Sequence, residues 1–247
     1  MEIYYSIFFF LFGVAFGSFY NVVGMRWPAG KSIVQPGSHC DACQKPLKAL
    51  DLIPVLSYVL LRGKCRQCGE KFGAFHALIE LFTGLLFVLA YVHFGFTAEL
   101  IVALLFISLF AIITVSDICY MIIQDKVLLI FGSLIVIGRI ISPLTPWWDT
   151  IAGAVFGFGL LLLVSMFSKN GMGGGDIKLY FVIGLVLGVK LTFISIFLSS
   201  VIGLIVAVFL KRGFGKTIPF GPSIAVGSLI AYFYGSELFD WYTSLFF

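Results

Sequence analysis

The sequence predicts an all-α polytopic membrane protein of about eight transmembrane helices, with both termini external and a small cytoplasmic domain between helices one and two. Three observations predict it. Of the 247 residues, 60% are hydrophobic and only 11% charged, whereas soluble domains carry about a quarter charged. Apolar runs close to the ~20 residues that cross a bilayer recur along the whole chain. Lys and Arg are gathered into alternate loops, as cytoplasmic loops require. The 28 Phe and 27 Gly suit helices packed closely in lipid.

The apolar runs fall at 3–23, 77–94, 98–116, 126–142, 150–168, 176–190, 191–211 and 223–240. The first is expected to stay as a helix, because "MEIYYS" has no basic region and no small-x-small cleavage site follows. Only Gly184, Gly188 and Lys190 separate the sixth run from the seventh, and without a break there the count is seven. Loops 24–75, 117–126, 169–178 and 211–217 hold 8, 1, 2 and 3 of the 16 Lys and Arg. Arg139 and Lys190 fall on the other side. These four loops are therefore expected in the cytoplasm, and the net charge of +4 describes them rather than a nucleic-acid surface. The chain divides into helix one (1–23), a polar domain (24–75) and a membrane domain (76–247).

Residues 24–75 contain "CDAC" and "CRQC", placing Cys40 and Cys43 in one C-x-x-C pair and Cys65 and Cys68 in another. Four thiolates in two knuckles suit a tetrahedral zinc ion, and a reducing cytoplasmic loop disfavours the alternative of disulfides. Four cysteines leave no open coordination position, so the zinc is expected to be structural. It closes a fold of about 50 residues that burial alone cannot secure. His39 adjoins the first knuckle as a bystander.

Two acids from distant parts of the chain reach the same membrane face. Asp176 follows Gly171, Gly173, Gly174 and Gly175 in "NGMGGGDIKL", where glycine permits close backbone approach. Asp117 ends the third run, in "ITVSDICYMIIQDKV". Asp125 is the rival or supporting acid and is explained as an N-cap of the next helix. An intramembrane acid without such a role is a functional candidate. Two aspartates sharing a proton can hydrolyse a peptide. Asp176 at a helix start favours the carboxylate and Asp117 near a helix end disfavours it, which makes Asp176 the expected base and Asp117 the acid. The plainer reading pairs both acids with Lys126 or Lys178. A dinucleotide fingerprint is excluded, because Asp176 stands where its third glycine belongs and no strand precedes the turn.

Further residues carry weaker signals. Asn21 and Arg26, at the inner end of helix one, can hold a ligand, or Arg26 a lipid headgroup. Cys119 reads as a small packing residue, and His76 and His93 as helix-end residues. "IPFGP", residues 218–222, reads as a stiff turn bordering the cleft. A transporter also uses glycine-broken helices with acids, but its acids belong near the midplane. A non-catalytic assembly factor docking through the zinc loop is the third class.

"GSFYNVVGMRWP", "SHCDACQKPLKALDLIPVLSYVLLRGKCRQCG", "GGGDIKL" and "IPFGPSIAVGS" together resemble the bacterial prepilin peptidase family, of the bifunctional type that also methylates. The resemblance spans nearly the whole chain, in the family's motif order, and the size suits the competence-pilus branch. It implies a GxGD aspartyl peptidase of the bacterial cytoplasmic membrane: Gly173, Gly175 and Asp176 match the motif, with Gly174 and Lys178 in the same active-site loop, and Asp117 matches the first catalytic aspartate. It implies removal of a short basic leader from type IV prepilins or pseudopilins at the cytoplasmic face, after a glycine. N-methylation of the exposed residue, often phenylalanine, with S-adenosylmethionine would follow. The cysteine loop is similar to the segment associated with methyl transfer. Two departures stand out. Ile123 and Gln124 precede Asp125 where the family has Ile-Pro, and Phe75 and His76 replace Tyr-Pro, although Glu80 matches a recurrent glutamate.

Overall fold

A computed structural model describes residues 2–40, 42–167, 173–209 and 219–245. Among the described residues the regular structure is helical: α1 (Glu2–Arg26), a 3-10 turn (Ala49–Leu52), α2 (Leu56–Leu60), α3 (Phe75–Phe94), α4 (Ala98–Tyr120), α5 (Asp125–Ile141), α6 (Asp149–Phe167), α7 (Gly174–Phe209) and α8 (Gly221–Ser244). Five of these, α1, α3, α4, α6 and α7, are long and apolar enough to cross a membrane. The chain forms two compact units, Met1–Phe96 and Thr97–Phe247. In the first unit the cysteine segment is grouped with the helices that flank it.

In the first unit α1 and α3 run antiparallel along a glycine seam. A Cβ on Gly13 would lie 2.9 Å from the Gly84 Cα, and one on Gly17 would lie 2.8 Å from the Glu80 Cα. The Gly-x-x-x-Gly spacing thus lets the backbones touch, which is how helices associate where no hydrophobic effect drives them together. At one end Phe9 stacks on Tyr91 with ring centroids 4.9 Å apart. At the other, Asn21 closes a two-point contact with His76: its Nδ2 donates to the His76 carbonyl at 3.0 Å and its Oδ1 lies 3.2 Å from His76 Nδ1. Arg26 donates to the carbonyls of Pro36 at 2.7 Å, Ser32 at 3.3 Å and Gly37 at 3.4 Å. Asn21 and Arg26 are therefore engaged with their own chain, holding the start of α3 and the loop after α1.

In the second unit α4 supplies much of the core, with Phe106, Ile107, Leu109, Phe110 and Ile113 almost wholly buried. The boundary expected near Gly188 is a reversal. Gly188 has φ 71° and ψ −179° inside α7, a conformation open essentially to glycine alone. The Tyr180 hydroxyl donates to Ser199 Oγ at 3.0 Å, whereas nineteen residues of straight helix would separate them by about 28 Å. The two halves of α7 are thus folded back on each other. α6 packs there through a second Gly-x-x-x-Gly pair: a Cβ on Gly153 would meet Gly188 Cα at 2.6 Å, and one on Gly157 would meet the Tyr180 carbonyl oxygen at 2.6 Å.

Backbone groups freed by such a reversal must find partners inside the protein. Asp149 Oδ1 accepts the Val189 N–H at 3.1 Å, and Arg139 Nη2 donates to the Val186 carbonyl at 2.6 Å. Arg139, almost wholly buried, also forks onto Glu99 at 2.6 and 3.0 Å. Ser142 Oγ and the Tyr232 hydroxyl donate to the same carboxylate at 2.8 and 2.5 Å. One ion pair therefore joins α4, α5, α7 and α8.

Candidate active site and metal centre

Asp117 stands in the last turn of α4 and is 6% exposed. The helix stops just beyond it, because Met121 takes the left-handed conformation (φ 55°, ψ 39°) and returns its N–H to the Asp117 carbonyl at 2.8 Å. The Asp117 side chain has one partner of note: Oδ2 accepts the Gly221 N–H at 2.6 Å. Gly221 is the first residue of α8, with Pro222 next. The amide is thus one of the free donors that every helix start presents, at the positive end of the helix dipole. Asp117 is expected as the acid only while it faces nothing but the end of its own helix, and this amide removes that asymmetry.

Asp176 lies in the first turn of α7, half-buried, with its N–H on the Gly173 carbonyl at 3.0 Å. It is within coulombic range of Asp117. Gly174, Gly175 and Lys178, expected in a loop, belong to the first turns of this helix, and only Gly173 precedes it. Gly175 is the glycine the packing requires: a Cβ there would sit 2.8 Å from Ile123 Cβ. Gly171 lies outside the described residues.

The turn between α4 and α5 therefore adjoins Asp117 through Met121 and packs on Gly175, the residue before Asp176, and hydrogen bonds set its shape. Ser116, buried beside Asp117, donates to the Ile122 carbonyl at 2.5 Å, and Gln124 Nε2 donates to Ser116 Oγ at 3.2 Å. Ile123, between them, is the residue against Gly175. Gln124 holds this turn through its side chain.

The rival acid separates from the pair. Lys178 Nζ lies 2.8 Å from both oxygens of Asp125 in an exposed ion pair. Among the described residues, neither Asp117 nor Asp176 forms an ion pair with a lysine. Asp125 is not the N-cap expected of it: Gln124 occupies that position and Asp125 opens α5 itself. Cys119 is exposed rather than packed. Of "IPFGP", Ile218 lies outside the described residues, and the rest borders Asp117 through Gly221.

The four cysteines meet. Their Sγ atoms all lie within 4.8 Å of one another, and Cys40 and Cys68 are 3.8 Å apart, close to the edge of a tetrahedron with metal–sulfur bonds of about 2.3 Å. The knuckles repeat one geometry. Cys40 N–H bonds the Lys45 carbonyl and Gln44 N–H the Cys40 carbonyl; Cys65 N–H bonds the Glu70 carbonyl and Gly69 N–H the Cys65 carbonyl. The fourth residue after each leading cysteine, Gln44 or Gly69, has positive φ.

The N–H groups of Cys68 and Gln67 hold the Cys65 thiol down to about 7. Cys68, although lowered by the Glu70 N–H, is pushed up to about 12 by burial and its thiol neighbours. Four thiols so close cannot all ionise unaided, and a cation among them would supply the missing charge. His39 turns away, its Nδ1 3.0 Å from the Gly37 carbonyl.

Sequence reasoning missed the Gly221 amide and the Glu99–Arg139 pair. Within the apolar runs, the Gly-x-x-x-Gly spacings at 13/17, 153/157 and 184/188 are the local signal that could have found the helix contacts.

The chain matches two family models, the bacterial peptidase A24 N-terminal domain over residues 11–94 and the type IV leader peptidase family over residues 104–208. A prepilin leader peptidase/N-methyltransferase of Bacillus subtilis is 40% identical, covering 96% of this chain and 97% of the relative. Similarly named proteins of Neisseria gonorrhoeae (32% identical; 81% and 72% covered) and Pseudomonas aeruginosa (31%; 92% and 90%) are also similar. No solved structure matches the chain.

Proposed function

The chain belongs to the type IV leader peptidase family, and on that premise we propose that Asp117 and Asp176 form an aspartyl dyad that cleaves the leader from type IV prepilins. The observation that carries this reading is the buried Asp117 carboxylate, bound by the Gly221 amide, with Asp176 within coulombic range. The amide favours charge on Asp117, so Asp117 acts as the base and Asp176 carries the proton, the reverse of the order expected from helix ends alone. Asp117 takes a proton from water as its oxygen attacks the scissile carbonyl, and Asp176 donates to the oxygen on which charge develops. The pair titrates as a unit. Cleavage is therefore lost on the acid side, where both are protonated and no base remains, and on the alkaline side, where no acid remains.

The asymmetry of Lys and Arg supports eight crossings, with the dyad and the cysteine segment at the cytoplasmic face of the bacterial inner membrane and both termini outside. Glycines ahead of Asp176 give the substrate access: Gly173 and Gly174 are exposed at the start of α7. Cys40, Cys43, Cys65 and Cys68 hold a structural zinc ion, which supplies charge balance and cross-linking rather than chemistry. The relatives' names support a second step, methylation of the new N-terminus with S-adenosylmethionine as donor.

The test is cleavage of a purified type IV prepilin in detergent by the parent chain and by Asp117→Asn, Asp176→Asn and Asp125→Asn, with mass spectrometry of the product. Loss in the first two with activity kept in the third is the expected result. Cleavage surviving either dyad substitution would sink the mechanism. A mass gain of one methylene, dependent on S-adenosylmethionine, reports the second step.

A further inference from the structure

The segment between the two cysteine knuckles is unusually apolar for an extramembrane loop. Leu50, Leu52, Ile53, Leu56, Val59 and Leu60 are all exposed, with Leu50, Val59 and Leu60 at 67%, 62% and 72%. Leu56, Val59 and Leu60 share one face of α2 by their i, i+3, i+4 spacing. This surface cannot cross a bilayer: α2 has only five residues, and Asp51 and Pro54 interrupt the run before it.

Its position is fixed by a hydrogen bond. Val55, which enters α2 with φ 60°, donates its N–H to Glu80 Oε2 at 2.8 Å. Glu80 lies in the second turn of α3, about 8 Å along the axis from Phe75, where Gly17 of α1 packs against it. At that level α3 already presents exposed Leu78 and Phe82, on a helix apolar enough to lie in lipid. The tether therefore sets the start of α2 level with apolar surface that itself requires lipid. Lys45, Lys48, Arg62 and Lys64 flank the patch and are exposed, and residues 24–75 hold eight Lys and Arg against three acids. Basic flanks beside an apolar face suit the boundary between acyl chains and anionic headgroups.

We propose that residues 50–60 are a monotopic anchor: the 3-10 turn and α2 lie in the membrane interface, with their leucines in the acyl boundary and the flanking basic side chains among anionic headgroups. The anchor orients the metal centre as well. Asp51 joins it to the second knuckle through Arg66, Nε to Oδ1 at 2.8 Å. Anchoring of this kind is independent of the dyad.

The full chain is reconstituted in nanodiscs of phosphatidylcholine and phosphatidylglycerol, with and without brominated acyl chains. Leu60→Trp is compared with Gln67→Trp, an exposed position in the second knuckle, after subtraction of the parent's four native tryptophans. The expected result is blue-shifted added emission from Leu60→Trp, quenched at least twofold by brominated lipid and little by aqueous iodide, with the reverse at Gln67→Trp. Iodide quenching of Leu60→Trp without lipid quenching would overturn the proposal in favour of a water-exposed surface. Protection from both quenchers would overturn it in favour of a protein partner. Leu56→Trp serves as a second probe should Leu60→Trp fail to reconstitute.

Discussion

Gly221 is held to its identity by the carboxylate beside it. A Cβ there would come 2.8 Å from Asp117 Oδ2 and 3.0 Å from its Cβ, so a side chain displaces either the acid or the amide that charges it. Gly221→Ala is expected to lower kcat by about 10²-fold with KM little changed, the cost of misplacing a reacting group by an ångström. Steady-state kinetics on a prepilin checks this; a rise in KM alone would assign Gly221 to substrate binding. Gln124→Ala, which releases Ser116, is expected to cost less, about tenfold in kcat, and Gln124→Pro to restore most of it, because the backbone there (φ −82°) already suits proline. Asp117 and Asp176 were legible in the sequence as candidates, since a carboxylate at the end of an apolar run is costly to keep without a function. The Gly221 amide on Asp117 was not. It lies 104 residues away in sequence, which no local pattern announces.

At the scale of elements, the two knuckles were legible from spacing alone, because four cysteines in two C-x-x-C pairs admit few arrangements. Metal removal is expected to release the fold of residues 37–72, seen as faster hydrogen exchange there while α1 and α3 stay protected. Metal must displace protons from thiols that reach about 12, so affinity falls as pH falls. A chelator titration at about pH 6 should reach its midpoint at lower chelator concentration than one at about pH 8. The reversal in α7 was legible only as a weak boundary, since "LGVK" carries no turn signal beyond one glycine. Gly188→Ala is expected to destabilise the chain by about 1–3 kcal/mol, the cost of a conformation that side chains avoid. A thermal melt in detergent measures it, and an unchanged midpoint would mean that the turn adapts.

For the whole molecule, composition is enough to assign the membrane class, but the ties among helices come from few and distant residues. In the sequence Arg139 is a stray cation on the outer side. In the structure it is the buried centre of a part-buried pair joining four helices, a relation invisible to any window of sequence. Arg139→Ala, which leaves Glu99 unpaired, is expected to cost about 3–5 kcal/mol, whereas the double substitution to leucine at both positions should cost much less. The difference between the two melts isolates the unpaired charge. Similar losses in both would show that packing, not charge, is the larger part.

The short first arm of α7 also limits how a substrate can be reached. Asp176 lies twelve residues from the reversal at Gly188, about 18 Å of helix, while α6, starting beside that reversal, runs 19 residues, about 28 Å. The acid is therefore recessed about 10 Å short of the far end of its neighbour. A peptide bond presented in a helix at that rim would stop above it. Roughly three residues of extended chain, at about 3.3 Å each, would close the gap, so on the proposed dyad a helical substrate is expected to unwind its first turn and descend as a strand before water attacks.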